Sequence, residues 1–437
     1  MRLTCFKALF IFNSLIIAQI VDDNYYLQYL NIDSSANSYN KFSYYDSKVN
    51  EKNIHIKYDF YKSIVNYNQK FKDNNFIFIY SLADTIDSNM DFELSLFLEN
   101  SKSEPVNHYS IYYNDQFNGF SGDIRKSYLR YENNNFVFKL GRDYFLPGKY
   151  LQDRLLFSAN GYPYDHFIFS FMKDRFSISS FYLKLNNFRE NSLSFNRHLS
   201  GRRMTFNLKN GYVALNEISV YGGEYQSINM SLLNPFNVSY IYQMNNNFSL
   251  NSIISLEYLF QNKNYSVFIE FILDDIQIEK ITSDDLEPTE FGFFFNFNKN
   301  INKFFNFNSS NVIISNRTFN APVFEYEKLI YKNFPIGHIL GNNFWKIENS
   351  IIYRVENFSL SGSYIYIEKG EEALFSTFNT DFLNHSIDEG YKEEFPFGPK
   401  SIMSGFLVEC DWRKYQNINF STGISYWFDT YLDNGGI

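Results

Sequence analysis

Along most of the chain, apolar and polar positions alternate one by one. The segment INFSTGISYWF, residues 418 to 428, sets Ile418, Phe420, Thr422, Ile424, Tyr426 and Phe428 against Asn419, Ser421, Gly423, Ser425 and Trp427. Successive side chains of a strand point to opposite faces, so this pattern predicts a strand with one oily face and one mostly small, polar face. Elsewhere Phe92, Leu94, Leu96 and Leu98 oppose Glu93, Ser95 and Glu99, and Ile347, Ile351, Tyr353 and Val355 oppose Glu348, Ser350, Arg354 and Glu356. Charged residues thus recur in mid-strand on the non-oily face. A soluble sandwich would turn the oily face inward; a membrane barrel would turn it out into lipid.

Connection lengths favour the barrel. Short, Asn- or Lys-rich links fall at 132–135, 173–174, 209–211, 261–264 and 356–357, and long ones at 145–164, 188–201, 222–249, 315–345 and 369–402. Short turns alternating with long loops are the habit of outer-membrane barrels, with the turns in the periplasm and the loops outside. The 9 prolines fall mainly in the long loops, as strand pairing requires. Between residues 39 and 428 the pattern predicts about 16 to 20 strands, which enclose a lumen too wide for side chains alone to fill. With every long loop on one side the count is odd, and EALFSTF, residues 372–378, is expected to supply the missing strand. The fold class expected is all-β: a transmembrane antiparallel β-barrel of about 18 strands, of the outer-membrane type.

The N-terminus changes the picture by adding export. Arg2 and Lys7 precede a largely apolar stretch, residues 8 to 18, ending at Ala18. It reads as a signal peptide and is too short to span a bilayer as a helix. The expected organisation is a signal peptide at 1–18, an N-terminal periplasmic segment or first strand at 19–53, the barrel at 54–428 and a tail at 429–437, in the outer membrane of a diderm bacterium. Removal of the signal leaves Cys410 alone, and so no internal disulfide. Aromatic residues make up 20% of the chain, but Phe, Tyr, Asn, Ile and Lys share AT-rich codons, so their arrangement says more than their number. A formal charge of −9 argues against a nucleic-acid partner.

Candidate chemistry is sparse. The six histidines show no metal-ligand spacing, and no G-x-S-x-G or phosphate-binding loop occurs. Asp165–His166, with Ser158 in the same segment, is the nearest approach to a catalytic arrangement, and a solvated loop explains it as well. Asp274–Asp275 with Glu279, and Asp284–Asp285 with Glu287, suit either hydrated strand ends and loops or a calcium ion. Residues 188–203 carry Arg189, Arg197, Arg202 and Arg203 against one Glu. Such a loop suits carboxylates or phosphates, and equally lipid head groups or a charge-lined wall. No catalytic residue, cofactor or resident metal is expected.

Several stretches together resemble the Wzi-type capsule assembly family: GRDYFLPGKYLQDRLLFSANGYPYDHF (141–167), GRRMTFNLKNGYVALNEISVYGG (201–223), LLNPF (232–236), SLEYLFQNKNYSVFIEFILDDIQIE (255–279) and FPIGHILGNN (334–343). They occur in the family's order. The resemblance implies a non-enzymatic outer-membrane barrel that binds or anchors capsular or other exopolysaccharide at the cell surface. Its partners would be outer-membrane lipid, the polysaccharide and, during insertion, the barrel-assembly machinery. The matching positions are Arg142, Asp143, Asn160, Glu217, Glu270, Asp274, Asp275, Gly337, His338 and Gly341. Around them, Phe319, Phe324, Tyr326, Tyr331, Phe334 and Trp345 offer aromatic faces to sugar. Arg197, Arg202 and Arg203 are the expected receivers of an acidic polymer. The alternative is a porin or sugar-selective channel.

Overall fold

The computed structural model describes residues 55–63, 75–99, 121–149, 153–157, 162–275, 282–356, 358–371, 374–415 and 418–432. The signal at 1–18 and the segment at 19–53 lie outside them. The strands are β1 (His55–Ser63), β2 (Asn75–Asp87), β3 (Met90–Glu99), β4 (Ser121–Glu132), β5 (Phe136–Asp143), β6 (Tyr164–Lys173), β7 (Phe176–Lys184), β8 (Phe188–Glu190), β9 (Leu193–Leu208) and β10 (Gly211–Gly223). After the short helix α1 (Ser239–Asn246) come β11 (Asn251–Gln261), β12 (Tyr265–Asp275), β13 (Glu290–Asn300) and β14 (Phe305–Ile314). The chain ends with β15 (Ile330–Tyr331), β16 (Phe334–Pro335), β17 (Phe344–Val355), β18 (Phe358–Lys369), β19 (Lys400–Tyr415) and β20 (Ile418–Leu432). All but β15 and β16 belong to one 18-stranded sheet. Each long strand pairs antiparallel with the next in the chain, from β1 to β20.

Asparagine builds several of the tight turns. Asn133 Oδ1 accepts from the backbone N–H of Asn135 and Phe136, Asn262 Oδ1 from those of Asn264 and Tyr265, and Asn302 Oδ1 from those of Phe304 and Phe305. An Asn side chain that takes over these N–H groups closes the turn without help from the next strand. The repeated signature is Asn, two residues, then an aromatic at the head of the returning strand. All these turns lie at one end of the sheet, which by the habit of such barrels is the periplasmic end.

The register separates the two faces. On β11, Ile254, Leu256 and Tyr258 are 43%, 50% and 36% exposed, while Ser255 and Glu257 between them are fully buried. Outward apolar residues continue around the wall at Leu215, Ile351, Phe406, Val408, Tyr426 and Phe428. These are the oily rows of the alternation, and they face away from the interior. The inward face is mostly polar toward the periplasmic end but apolar farther out, where Phe181, Leu199, Ile218, Ile253, Phe294, Val312 and Phe344 join one continuous core. The partners of that core are not other strands but loops folded into the lumen.

Three expectations change. Residues 188–201 are not a loop: β8 and β9 occupy them, and β9 extends the wall outward for 16 residues. The described part of EALFSTF contains no strand; Leu374 there is a buried loop residue packed on the inner core. The sheet reaches 18 only by counting β8, three residues that pair with β9 alone, so the number of full-length strands among the described residues stays odd. The last strand also runs past Phe428 to Leu432, into the expected tail.

Candidate functional site

Two long loops turn into the lumen and pack together there, and the β18–β19 connection adds Leu374 to the same core. The first joins β5 to β6, and its residues Asp153, Arg154, Leu155, Leu156 and Phe157 are buried. The second joins β14 to β17 and buries Arg317, Phe319, Leu329, Ile336, His338 and Leu340. Gly337 lies so close to the first loop that a Cβ there would stand 2.4 Å from the Leu155 carbonyl. At roughly 1.5–3 kcal/mol for each fully buried large apolar side chain, the packed Leu and Phe residues supply on the order of 10 kcal/mol to docking. The buried ion pairs described next come close to breaking even against their desolvation. Packing therefore holds the loops, and the ion pairs fix where they sit.

Arg154 is the first tie. Its guanidinium donates to Glu257 on β11 at 2.5 Å and to Glu270 on β12 at 3.1 Å. Glu270 also accepts from the backbone N–H of Leu155 at 2.8 Å. Glu257 accepts in addition from Arg203, Asn216 and Tyr212. Two arginines thus face two carboxylates in a neutral, water-excluded group whose acceptors are filled. Near the periplasmic end of the lumen, Lys149 N donates to Tyr212 Oη at 3.0 Å and Lys149 Nζ reaches Ser266 at 3.4 Å. The loop therefore descends most of the barrel.

Asp153 is the second tie. It accepts from Lys346 Nζ on β17 at 2.8 Å, from Ser310 on β14 at 2.7 Å and from His338 of the other loop at 3.2 Å. Ser310, Asp153 and His338 do not make a hydrolytic relay, because the hydroxyl bonds to the carboxylate and not to the imidazole that would have to take its proton. The Asp165–His166 pair does not form either. The two side chains leave opposite faces of β6: Asp165 points outward, and His166 is buried in the lumen.

The sequence-selected residues do not converge on one pocket. In the lumen, Asp143 pairs with Lys139 and lies 3.9 Å from Lys126, Glu270 and His338 hold the first loop, and Asp274 accepts from the backbone N–H of Phe319. Asp275 is exposed at the end of β12. Arg142 grips Asp165 through two 2.7 Å bonds on the outward rim. Trp345 is also outward, donating to Asn311 at 3.1 Å, a position suited to an aromatic girdle. Asn160 lies outside the described residues, as does Glu279 of the first acidic cluster. No group of three His, Cys, Asp or Glu that fits a metal ion occurs among the described residues.

The three arginines expected to act together face three different environments. Arg197 is buried and donates to the carbonyls of Tyr326 and Lys328, each at 2.6 Å, fastening the second loop. Arg203 faces the lumen and Glu257. Arg202, one residue away, faces outward and pairs with Glu217 at 2.8 Å beneath the β10–β11 connection. They are strand residues, and strand alternation separates neighbours. Phe319 and Tyr331 are likewise spent in the core, at 0% and 4% exposure. Phe324 and Tyr326 remain near the surface, with their rings stacked at 4.9 Å, and Tyr326 stacks in turn on Phe195 at 5.2 Å.

Among solved structures, the chain is similar to Wzi, an outer membrane protein involved in group 1 capsule assembly in Escherichia coli and a carbohydrate-binding β-barrel. The TM-score is 0.54 at 13% identity, over 82% of this chain and 75% of that one. The fold is that of an outer-membrane β-barrel. Other similar structures are OccAB2 of Acinetobacter baumannii, with TM-score 0.45 and 10% identity over 83% and 88% of the two chains, and a BenF-like porin of Pseudomonas fluorescens Pf-5, with TM-score 0.42 and 9% identity over 82% and 91%. No family model and no curated protein matches the chain.

Asp153, Arg154, Glu257 and Lys346, which tie the first loop to the wall, are the lumen residues that sequence reading passed over. Their signal was present: charged residues at inward strand positions (Glu257 in the middle of β11, Lys346 near the start of β17), and an Asp-Arg pair followed by Leu-Leu within a long loop. Inward charges without water need partners, and a loop bearing one of each sign supplies them.

Proposed function

We propose that this protein is a non-enzymatic outer-membrane barrel that holds a capsular or other extracellular polysaccharide at its outer end. The observation that carries the reading is the lumen. Asp153 and Arg154 are tied to the wall by buried ion pairs, and the loop bearing them packs with its neighbour into a continuous apolar core. A conducting pore calls for a hydrated, polar-lined path, whereas this interior buries its charges in mutual pairs and places Leu and Phe where water would run. Binding to the outer surface needs no such path. The likeness to the carbohydrate-binding Wzi fold and the ordered stretches that resemble the Wzi-type family favour the same reading. Sugars present C–H faces that rest on aromatic rings and hydroxyls that bond to Asn, Arg and carboxylates. Phe324, 38% exposed at the end of its ring stack, offers the first kind of contact.

Two measurements test the reading together. Deletion of the gene should release polysaccharide from the cell into the medium, and purified protein in a planar bilayer should stay electrically silent. A steady open conductance with unchanged surface polymer would instead establish a channel.

A further inference from the structure

The β10–β11 connection does not rise away from the barrel. It folds back onto the outer surface of the wall. Strand alternation places Ser180, His198, Arg202, Glu217, Ser219 and Tyr221 on the outward face of β7, β9 and β10, since Phe181, Leu199, Ile218 and Val220 between them point into the inner core. All six are nevertheless buried. The connection covers them. Ser180 donates to the Leu233 carbonyl at 2.5 Å, His198 meets the Gln226 carbonyl at 3.0 Å, and Glu217 accepts from the backbone N–H of Ser239 at 2.7 Å. Tyr221 packs with Leu232, Leu250, Tyr242 and Phe248 in a small apolar core of its own, outside the barrel wall.

The depth of this cover is set by the strand. Glu217 stands six residues beyond Gly211, where β10 leaves its tight turn. At about 3.4 Å per residue and a tilt near 40° that is about 15 Å, inside an apolar band about 25 Å tall. Its cross-strand neighbour Ile254 is 43% exposed on the lipid-facing wall, and Leu215, two residues nearer the turn, is 47% exposed. An Arg–Glu pair facing hydrocarbon at that depth must be shielded.

We propose that residues 225–248 form a flap embedded in the outer leaflet, with lipid acyl chains as its partner. Met230, Phe236, Tyr240 and Met244 are 73%, 74%, 63% and 68% exposed on its far side. Between Glu224 and Glu257 there is no Asp, Glu, Lys or Arg, in a chain that is 20% charged. An uncharged surface with bulky apolar tips, continuous with the lipid-facing wall and starting α1 at hydrocarbon depth, is a replacement wall. It lets the barrel keep a hydrogen-bonded polar row on its outside. This inference rests on the barrel fold and is independent of the polysaccharide reading.

The test uses spin labels on the full chain, in a background with Cys5 and Cys410 replaced by serine, reconstituted in phosphatidylethanolamine–phosphatidylglycerol vesicles. Labels are placed at Met244→Cys and Phe236→Cys, with Ile351→Cys on the bare wall and Val323→Cys at a loop tip as references, each variant first checked for the heat-modifiable folded band. Labels at 244 and 236 are expected to relax more with oxygen than with a water-soluble nickel complex, matching 351. Nickel-dominated relaxation, matching 323, would place the flap in water and overturn the proposal. Protection from both agents, with dipolar broadening between labels on different molecules, would give the surface to a second copy of this chain and overturn it equally.

Discussion

Lys346 Nζ and the Asp153 carboxylate meet at 2.8 Å in the lumen, one carried by the wall and the other by a loop, both almost wholly excluded from solvent. Loss of one member of a buried pair costs up to about 3–5 kcal/mol, and less here because Lys346 Nζ also lies 2.9 Å from Glu348. Asp153→Ala is therefore expected to lower the thermal midpoint of the folded barrel in detergent and to give flickering conductance in planar bilayers as the loop loosens. The pair Asp153→Leu with Lys346→Met removes both charges and should restore part of the midpoint, the remainder being lost with the Lys346–Glu348 contact. A single variant as stable and as silent as the parent would show that the loop is held without this tie.

Gly148 makes a second, backbone-level prediction. It has φ of +84°, and a Cβ there would lie 2.7 Å from Arg203 Nη2 and 3.0 Å from both Glu257 Oε2 and Tyr212 Oη. Gly148→Ala must accept the left-handed conformation, at about 1–2 kcal/mol, and also displace the ion cluster. Gly390 has φ of +69° with nothing within 4 Å. Gly390→Ala should show the backbone effect alone. Unfolding midpoints of the two variants, measured side by side, separate the contributions, and equal losses would mean that the cluster yields freely.

Much of this architecture was legible in the alternation. The Asn-centred turns and the outward rows ending in Tyr426 and Phe428 needed only the period of two and the length of the links. The lumen was harder to read. Where a loop packs inside the barrel, inward positions such as Phe294 and Ile272 become apolar, and β13 reads as FGFFFNFN with aromatics on both faces. The period of two then loses contrast, and nothing local marks which long loop turns in. The arginines of β9 misled for a related reason. Clustered in sequence, they looked like one surface, but adjacent strand residues face opposite solvents, so Arg202 and Arg203 never share a ligand.

That separation changes what neutralising the arginines should do. Arg203→Met leaves Glu257 with less compensation, and Arg202→Met leaves Glu217 facing the flap without its arginine, held only by neutral donors such as the Ser239 N–H. Both variants are expected to reduce the yield of folded barrel while the protein that does fold retains polysaccharide normally. Arg189 is exposed beyond the wall. Arg189→Ala should leave stability within about 0.5 kcal/mol, and any loss of retention of an acidic polymer should follow this variant. Retention assayed per folded molecule decides it: a selective loss with Arg203→Met at normal stability would return that residue to the binding surface.

Glu327 supplies the pH dependence. Buried beside the outer ends of β9 and β10, in the loop whose flanking carbonyls Arg197 holds, it has one carboxyl oxygen without a hydrogen-bond partner. Burial pushes its pKa up to about 7 from an ordinary 4.5, against a side-chain hydrogen bond from Ser249 that pulls it down. The folded state thus favours the neutral acid. The contribution to loop docking is fully present below the unfolded value and is lost as pH rises through 7, by an amount on the order of 3 kcal/mol. Proteolytic nicking near Val323, which is 70% exposed at the tip of the same loop, should therefore be slow at pH 5 and faster at pH 8. In Glu327→Gln, which keeps the shape and cannot ionise, the rate should stay low across that range. A parent protein nicked equally at both pH values, or a Gln variant that follows the parent, would show that this carboxyl does not govern the loop.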